Sequence, residues 1–269
     1  MSTTRIAVVT GASRGIGEAI ALRLADDGFD VAVNDIPAMA ESLKAAVEKI
    51  RQKGRRSLAV TGDVSNENDV KTVVDKVVET LGGLDVMVAN AGTCLLKPVV
   101  ETSIEEYDRV MSVNVKGVFL CFKYAALQMI KQGRGGRIIG ACSMAGATNL
   151  SVYTASKFAV RGLTQTCALE WAKHGITVNS YAPGMIRTPL SAFEYRCAVI
   201  GPDKSLWTVM EFSEVASEKN LTTGDTLGIG NIPIAEPSVI GELVSYLVKP
   251  ESHFVSGQCI NINGGVFFD

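Results

Sequence analysis

The amino-acid sequence predicts an α/β protein built on a doubly wound parallel sheet. Short β-branched runs recur along the chain, segments with helical apolar spacing lie between them, and the runs are apolar on both faces. Of the 269 residues, 47% are hydrophobic and 20% are charged, which is typical of a folded domain and excludes intrinsic disorder. No change of composition and no internal repeat marks a boundary, so a single domain over 1–269 is expected.

The β-branched runs predict the strands of the sheet. They cover residues 5–10, 30–35, 56–61, 84–89, 137–142, 176–181 and 258–262. Apolar positions at helical spacing predict helices after the first three strands. These positions are Ile16, Ile20 and Leu24, then Leu43, Val47 and Ile50, then Val70, Val74, Val77 and Leu81. Right-handed crossovers between such strands give a Rossmann-like fold.

Residues 189–232 do not follow this alternation. The segment mixes Gly and Pro with large apolar side chains such as Trp207 and Phe212. A long irregular insertion in a compact domain is usually a binding loop, so a substrate lid is predicted here. A disordered surface loop is the alternative interpretation.

Charge and cysteine content narrow the class of protein. A net charge of −2 and a pI near 5.8 argue against a nucleic-acid-binding surface. The six cysteines include no Cys-x-x-Cys pair, which favours reduced thiols in a cytoplasmic protein. No targeting segment and no run of ~20 apolar residues is visible, so neither export nor membrane insertion is predicted. No metal site is predicted either, since the chain has only two histidines.

A glycine-rich turn follows the first predicted strand and opens the first helix. It reads Thr10-Gly11-Ala12-Ser13-Arg14-Gly15-Ile16-Gly17. Glycines let the backbone turn tightly and approach a pyrophosphate, whose charge is favourable at a helix N-terminus. The spacing differs from the Gly-x-Gly-x-x-Gly fingerprint, so a merely structural turn remains an alternative.

Asp35 ends the second predicted strand, 18 residues after Gly17. An acid at this place can bind both ribose hydroxyls of NAD, and its charge would repel the 2′-phosphate of NADP. Ile36 and Pro37 offer no compensating cation, whereas Arg14 in the glycine turn could hold that phosphate. We therefore expect NAD, with NADP as the weaker candidate. A simple turn or helix-start role for Asp35 stays open.

Tyr153 and Lys157 are four residues apart, so on a helix they share one face. A free phenol with pKa ~10 is a poor base at neutral pH, and a neighbouring cation lowers that pKa. The pair therefore predicts acid/base chemistry on an alcohol or carbonyl. By itself the spacing is a weak signal, and a plain surface pair on a helix is the default interpretation until other evidence is added.

The order of these motifs resembles the short-chain dehydrogenase/reductase family over essentially the whole chain. After the glycine turn, the motifs follow one another along the chain in this order: Asp63-Val64, Asn90-Ala91-Gly92, Asn114, Ser143, Tyr153, Lys157 and Pro183-Gly184. The resemblance implies that Tyr153 is the acid/base, that Lys157 assists it and contacts the nicotinamide ribose, and that Asn114 holds a water in a proton relay.

The resemblance also implies a cofactor contact for each remaining motif. Asp63 and Val64 would contact the adenine, Asn90, Ala91 and Gly92 would line the adenosine ribose, and Pro183, Gly184, Ile186 and Thr188 would hold the carboxamide. In the glycine turn the expected contacts are Gly11, Ser13, Arg14, Gly15, Ile16 and Gly17.

Ser143 departs from the family spacing. The family's substrate-binding serine lies about 13 positions before the tyrosine, whereas ten separate Ser143 from Tyr153 here. We still expect Ser143 to be catalytic, because it follows its strand as the family serine does, with a shortened loop after it. Ser151 is the rival, and its place at the predicted helix entrance indicates a cap instead.

Within the family the chain is most similar to diacetyl/acetoin reductases, also called 2,3-butanediol dehydrogenases. The resemblance implies a small diketone, hydroxyketone or polyol substrate in a pocket walled by Cys94, Ala145, Asn149 and Met185. It also implies a homo-oligomer, either a dimer or a tetramer. The alternatives are an NADPH-dependent 3-oxoacyl or general carbonyl reductase and a non-catalytic NAD-binding scaffold.

Overall fold

A parallel sheet of seven strands forms the centre of the molecule. In this computed structural model, residues 4–143, 149–189 and 234–267 are described. The strands are β1 (Ile6–Thr10), β2 (Asp30–Asp35), β3 (Ser57–Thr61), β4 (Val86–Ala89), β5 (Gly136–Ala141), β6 (Ile176–Pro183) and β9 (Cys259–Ile262). They pair in the order β3-β2-β1-β4-β5-β6-β9. Two short strands, β7 (Met185–Ile186) and β8 (Ile234–Ala235), pair separately.

Helices cover both faces of this sheet. They are α1 (Gly15–Asp26), α2 (Ala40–Gln52), α3 (Glu67–Leu81), α4 (Ile104–Met111), α5 (Gly117–Gln132), α6 (Ser151–Trp171) and α7 (Ser238–Leu247). Side chains of α1, α2 and α7 form one core with Ala7 and Val9 of β1, whereas α3, α5 and α6 form the other with Ile6 and Val8. A strand that is buried on both faces needs apolar residues at every position, which explains the continuous runs in the sequence.

The predicted fold class is confirmed, and each of the seven predicted strands lies in the main sheet. Small differences concern the ends: β4 begins two residues later than predicted, and β6 continues to Pro183. Of the predicted lid, only residue 189 falls within the described residues, so that prediction stays untested.

The strand order reverses at β1, which pairs with β2 on one side and β4 on the other. The chain leaves these strands toward opposite faces of the sheet, so the loops after β1 and β4 separate and leave a crevice at the carboxyl edge. The glycine turn follows β1, and residues 90–92 follow β4. The topology thus brings two of the predicted motifs to the two sides of one crevice.

Within the described part of the chain, one helical stretch, Ile104–Gln132, is long and apolar enough to cross a membrane by length and composition alone. Half of its most apolar window is buried inside the protein, and α5 supplies Leu120, Phe122 and Met129 to the core. The core helix of a folded domain has the same composition, so this stretch is weak support for a membrane span.

Candidate active site

Two positions of the glycine turn, Gly11 and Gly17, leave no room for a Cβ. Gly11 and Gly15 have φ angles of 62° and 61°, in the left-handed region that favours glycine. A Cβ on Gly17 would collide with the Gly11 carbonyl oxygen and lie 2.5 Å from Nδ2 of Asn90. The first turn of α1 therefore packs directly on the end of β1. The backbone N–H groups of this turn, which have no acceptor within the helix, lie at the end of α1 nearest the crevice.

Asn90 fixes the glycine turn from the neighbouring strand. Its Nδ2 donates to the carbonyl oxygens of Thr10 (2.8 Å) and Gly11 (3.1 Å), and its Oδ1 accepts from the Tyr181 hydroxyl at 2.7 Å. Thr10 Oγ1 in turn accepts from the backbone N–H groups of Asn90 and Ala91. The side chain of Asn90 is thus fully engaged within the protein. Thr10 and Tyr181 were not identified from the sequence.

Two acids stand at the carboxyl ends of β2 and β3. Asp35 Oδ2 accepts from the Ser13 hydroxyl at 2.6 Å and from the Ser13 N–H at 3.3 Å, which places the carboxylate against the glycine turn. Asp63 Oδ1 accepts from the hydroxyl and N–H of Ser65. Val64 follows Asp63 and is buried.

The surroundings of Asp35 bear on the choice of cofactor. The next residue, Ile36, is 45% exposed and apolar, and Pro37 follows it. Arg14 is exposed at the N-cap of α1 and makes no capping hydrogen bond with its side chain. The crevice therefore presents the Asp35 carboxylate beside the glycine turn, with the exposed Arg14 on that turn.

Helix α6 carries Tyr153 and Lys157 on one face, as predicted. Lys157 is only 5% exposed, its Nζ donates to the Ala141 carbonyl at 2.9 Å, and it lies 5.4 Å from the centre of the Tyr153 ring. A Cβ on Gly92 would lie 3.4 Å from this Nζ and 3.3 Å from Oδ1 of Asn114. Gly92, Asn114 and Lys157 therefore converge at the carboxyl edge of the sheet.

Asn114 lies in a π-helical turn, Ser112–Lys116, between α4 and α5. The side chain is fully buried: Oδ1 accepts from Thr93 N–H at 2.8 Å, and Nδ2 donates to the Thr93 carbonyl and to Ser156 Oγ at 3.0 Å. The Ser156 hydroxyl donates onward to the Tyr153 carbonyl at 2.6 Å. Such widened turns release a backbone hydrogen bond and are frequent at functional sites. Ser156 was not identified from the sequence.

Ser143 follows β5 by two residues, at the carboxyl edge that also receives Lys157. The preceding thiol, Cys142, donates to the Lys157 carbonyl at 3.2 Å and so ties this segment to α6. The prediction that Ser151 caps the helix is wrong. Ser151 is the first helical residue, Leu150 occupies the N-cap, and no side chain there caps the backbone.

The 183–188 segment meets both the last strand and the glycine turn. Gly184 N–H donates to the Ile262 carbonyl, and a Cβ on Gly184 would lie 2.8 Å from Cα of Asn263. A Cβ on Gly15 would lie 3.4 Å from Cγ2 of Thr188. Thr188 therefore packs beside the glycine turn, although 173 positions separate it from Gly15 in the sequence.

Three of the four predicted substrate-wall residues are described. Cys94 and Met185 are buried. Asn149 is exposed, has a left-handed φ of 64°, and accepts from the Lys97 N–H at 2.7 Å through its carbonyl. This bond joins the loop after β4, which carries Cys94, to the start of α6. Ala145 lies outside the described residues.

Comparisons with known proteins decide the family. A sequence model of the short chain dehydrogenases matches residues 5–196. A short-chain dehydrogenase/reductase of Armillaria gallica is 46% identical over 272 residues, covering 100% of this chain and 98% of that protein. The chain belongs to the short-chain dehydrogenase/reductase family. It is accordingly an oxidoreductase that acts on alcohols or ketones and binds NAD(P).

Other members of the short-chain dehydrogenase/reductase family carry more specific names. A diacetyl reductase of Staphylococcus epidermidis that forms (S)-acetoin is 36% identical, covering 98% of this chain and 99% of that protein. A 3-oxoacyl-[acyl-carrier-protein] reductase of Staphylococcus aureus is also 36% identical, covering 99% and 100%. The family and its general reaction follow from these relatives. The substrate does not, because a diacetyl reductase and a 3-oxoacyl reductase are equally identical to this chain.

Solved structures of the short-chain dehydrogenase/reductase family share the fold. One from Mycobacterium paratuberculosis bound to NAD has a TM-score of 0.81 and 31% identity, covering 97% of each chain. One from Burkholderia cenocepacia in complex with NADP has a TM-score of 0.80 and 31% identity, covering 98% of each chain. Both dinucleotides thus occur among structures that resemble this chain equally.

Proposed function

We propose that the protein transfers a hydride reversibly between NAD(H) and a small ketone or secondary alcohol, with a diacetyl/acetoin-type or polyol substrate. The observation that carries this proposal is the convergence of Tyr153, Lys157, Asn114 and Gly92 at the edge of the sheet that also bears the glycine turn. Acid/base chemistry and dinucleotide binding then share one crevice, as hydride transfer requires.

The crevice fits a dinucleotide. At Gly11 and Gly17 the turn and α1 pack together with no space for a Cβ, so backbone N–H groups can approach a pyrophosphate. Asp35 stands beside the turn, where an acid can accept from ribose hydroxyls. Bound NADH would supply the hydride.

Tyr153 and Ser143 would hydrogen-bond the carbonyl oxygen of the substrate, where negative charge develops. Tyr153 would give its proton to that oxygen in reduction and take it back in oxidation. Lys157, held by the Ala141 carbonyl, keeps a cation beside the phenol ring and would favour its deprotonated form. Asn114 would connect Lys157 to solvent through a water, which is the role that the family resemblance gives it.

NAD is proposed over NADP because of Asp35. Its carboxylate is hydrogen-bonded to Ser13 of the turn, the apolar pair Ile36-Pro37 follows it, and a 2′-phosphate would add about two negative charges beside it. Exposed Arg14 is the feature that would favour NADP. Initial rates with NADH and NADPH decide between the two, and a clear preference for NADPH would refute the choice of NAD.

The choice of a small substrate is supported by the diacetyl reductase at 36% identity, and we propose that buried Cys94 and Met185 form part of the pocket walls. We propose that Asn149 and Ala145 complete these walls and that residues 189–232 form the lid of the single domain. The 3-oxoacyl reductase at the same identity keeps an NADPH-dependent acyl reductase as the second candidate.

The test is NADH oxidation against diacetyl, acetoin, ketoses and 3-oxoacyl thioesters, with Tyr153→Phe as the inactive control. The proposal expects the highest kcat/KM with diacetyl or acetoin. Highest activity with 3-oxoacyl thioesters would favour the second candidate. Binding of NADH without turnover of any carbonyl would favour a non-catalytic scaffold.

We also propose a homo-oligomer, a dimer or tetramer, formed through α5 and α6. The outer faces of these helices border an apolar groove of about 1070 Å³. Phe119 is 46% exposed and Leu127 55% exposed, although both side chains are large and apolar. Light scattering should show a dimer or tetramer that Leu127→Asp converts to monomer, whereas a monomeric wild type would overturn this proposal.

A cytoplasmic location is proposed as well. Among the described residues, Cys94, Cys121, Cys142, Cys167 and Cys259 are free thiols, as expected in a reducing compartment. Fractionation of the producing cells, with detection of the protein in the cytosol, tests this location.

A further inference from the structure

Tyr181 is a buried phenol that the proposed reaction does not use. It lies in β6 and is 1% exposed, and its hydroxyl reaches across β5 to Oδ1 of Asn90, which follows β4. The O–O distance is 2.7 Å, typical of a strong hydroxyl hydrogen bond. Tyr181 thus connects β6, at whose end the 183–188 segment begins, to Asn90. Asn90 in turn fixes the glycine turn.

This hydrogen bond determines the orientation of the Asn90 amide. Both hydrogens on Nδ2 face carbonyl oxygens, those of Thr10 and Gly11. Rotating the amide by 180° would place Oδ1 against these two acceptors, so the arrangement needs a donor on the opposite side. The Tyr181 hydroxyl is that donor.

The donor stays protonated. Burial raises the pKa of the Tyr181 hydroxyl, and the nearby Tyr153 raises it further. A neutral phenol therefore donates to Oδ1 across the whole pH range in which a dehydrogenase works. The hydrogen bond does not depend on the state of the reacting groups.

The Asn90 amide also lies under the first turn of α1. A Cβ on Gly17 would be 2.5 Å from Nδ2, so little space separates the amide from the helix. A displaced amide would shift both the Gly11 carbonyl and the helix N-terminus. We infer that Tyr181 is a positioning residue for the cofactor: through Asn90 it holds the glycine turn in the shape that binds the pyrophosphate. The inference rests on the dinucleotide site proposed above.

The test is Tyr181→Phe, which removes only the hydroxyl. We expect the Kd for NADH and for ADP-ribose to rise about tenfold, since one buried hydrogen bond is lost and Oδ1 is left unpaired. The Kd for adenosine, which has no pyrophosphate, should not change, and kcat at saturating NADH should stay within about twofold. Tyr124→Phe is the matched control, because its hydroxyl donates to Glu67 at the surface.

A double-mutant cycle tests whether Tyr181 acts through Asn90. Asn90→Ala should weaken NADH binding at least as much as Tyr181→Phe, and the double variant should bind no more weakly than Asn90→Ala alone. Additive losses would overturn the inference. Thermal unfolding curves check that each variant is folded. Should Tyr181→Phe fail to fold, Asn90→Ser is the second variant: it loses the bond from Tyr181 together with those to Thr10 and Gly11, and its Kd for NADH should rise at least as much.

Three further results would overturn the inference: unchanged Kd for NADH in Tyr181→Phe, an equal loss for adenosine, or a fall in kcat at unchanged Kd. Failure of the wild type to bind NADH would instead contradict the proposed function. The two proposals therefore fail in distinguishable ways.

Discussion

The two ends of the crevice are built on different principles. At the glycine turn, backbone groups and the absence of side chains form the site: Gly11 and Gly17 leave no space for a Cβ, and Asn90 donates to the carbonyl oxygens of Thr10 and Gly11. At α6, buried functional groups form it, with Lys157 5% exposed and Asn114 fully buried. The glycine turn should therefore be sensitive to added side-chain atoms, and the α6 end to the loss of functional groups.

This difference is the one that the proposed function would require. A pyrophosphate is recognised by N–H groups that approach it closely, so bulk is excluded. Proton transfer needs specific side chains held at hydrogen-bonding distance, and burying them requires that each finds partners. Substitutions that add or remove single groups at the two ends therefore test the contrast directly.

The largest effect is expected at the α6 end. Tyr153→Phe removes the group that exchanges the proton, so kcat/KM should fall by about 10²- to 10⁴-fold while the Kd for NADH changes little. Steady-state kinetics and NADH fluorescence titration measure both quantities. A variant retaining more than a tenth of wild-type activity would show that another group is the acid/base.

At the glycine end, an added methyl group should be nearly as damaging. Gly17→Ala places a Cβ against the Gly11 carbonyl, and we expect the Kd for NADH to rise by about a hundredfold, with a lower Tm. Gly28→Ala is the control. Gly28 has a φ of 90° but open space around it, so it should lose about 1 kcal/mol of stability with unchanged NADH affinity. NADH binding by Gly17→Ala within threefold of wild type would contradict the steric account.

Asp35→Asn tests the charge beside the glycine turn. The amide keeps an acceptor for Ser13 and removes the negative charge, so the ratio of kcat/KM for NADH over NADPH should fall by at least about tenfold. Asp63→Asn is a matched control at the next strand and should change this ratio less. An unchanged ratio in Asp35→Asn would show that Asp35 does not select the cofactor.

The smallest effect is expected for Ser156→Ala. The substitution removes one acceptor of Asn114 and the donor to the Tyr153 carbonyl, so kcat should fall by about two- to tenfold, with about 1 kcal/mol of stability lost. Ser156→Thr keeps the hydroxyl and should recover part of the loss. A loss of stability without any change in kcat would assign Ser156 a purely structural role.

The sequence predicted the fold because the strands are buried on both faces. A central strand such as β1 must be apolar at each position from Ile6 to Val9, and this run is visible without any structure. The ends were less accurate. β6 continues past Tyr181 because Ser180 to Pro183 pair with β9, a partner 79 positions away.

Motifs that are local in sequence were likewise recognised from the sequence: the glycine turn, Asp35 at a strand end, and Tyr153 with Lys157 one helical turn apart. Their residue types carry the chemistry, and their spacing follows from helix and strand geometry. Thr10, Ser156 and Tyr181 carried no such signal, since each acts through a partner distant in the chain or through its own backbone neighbours.

The sequence by itself therefore determined the fold class, the family and the residues able to carry charge and protons. Only the tertiary structure decided that the Asn90 side chain holds the glycine turn rather than facing a ribose, that Tyr181 orients it, and that Ser151 does not cap α6. The physical reason is that a hydrogen bond depends on distance and direction between atoms. For residues 90 and 181, those are set by how β4, β5 and β6 lie side by side, and no local pattern records this.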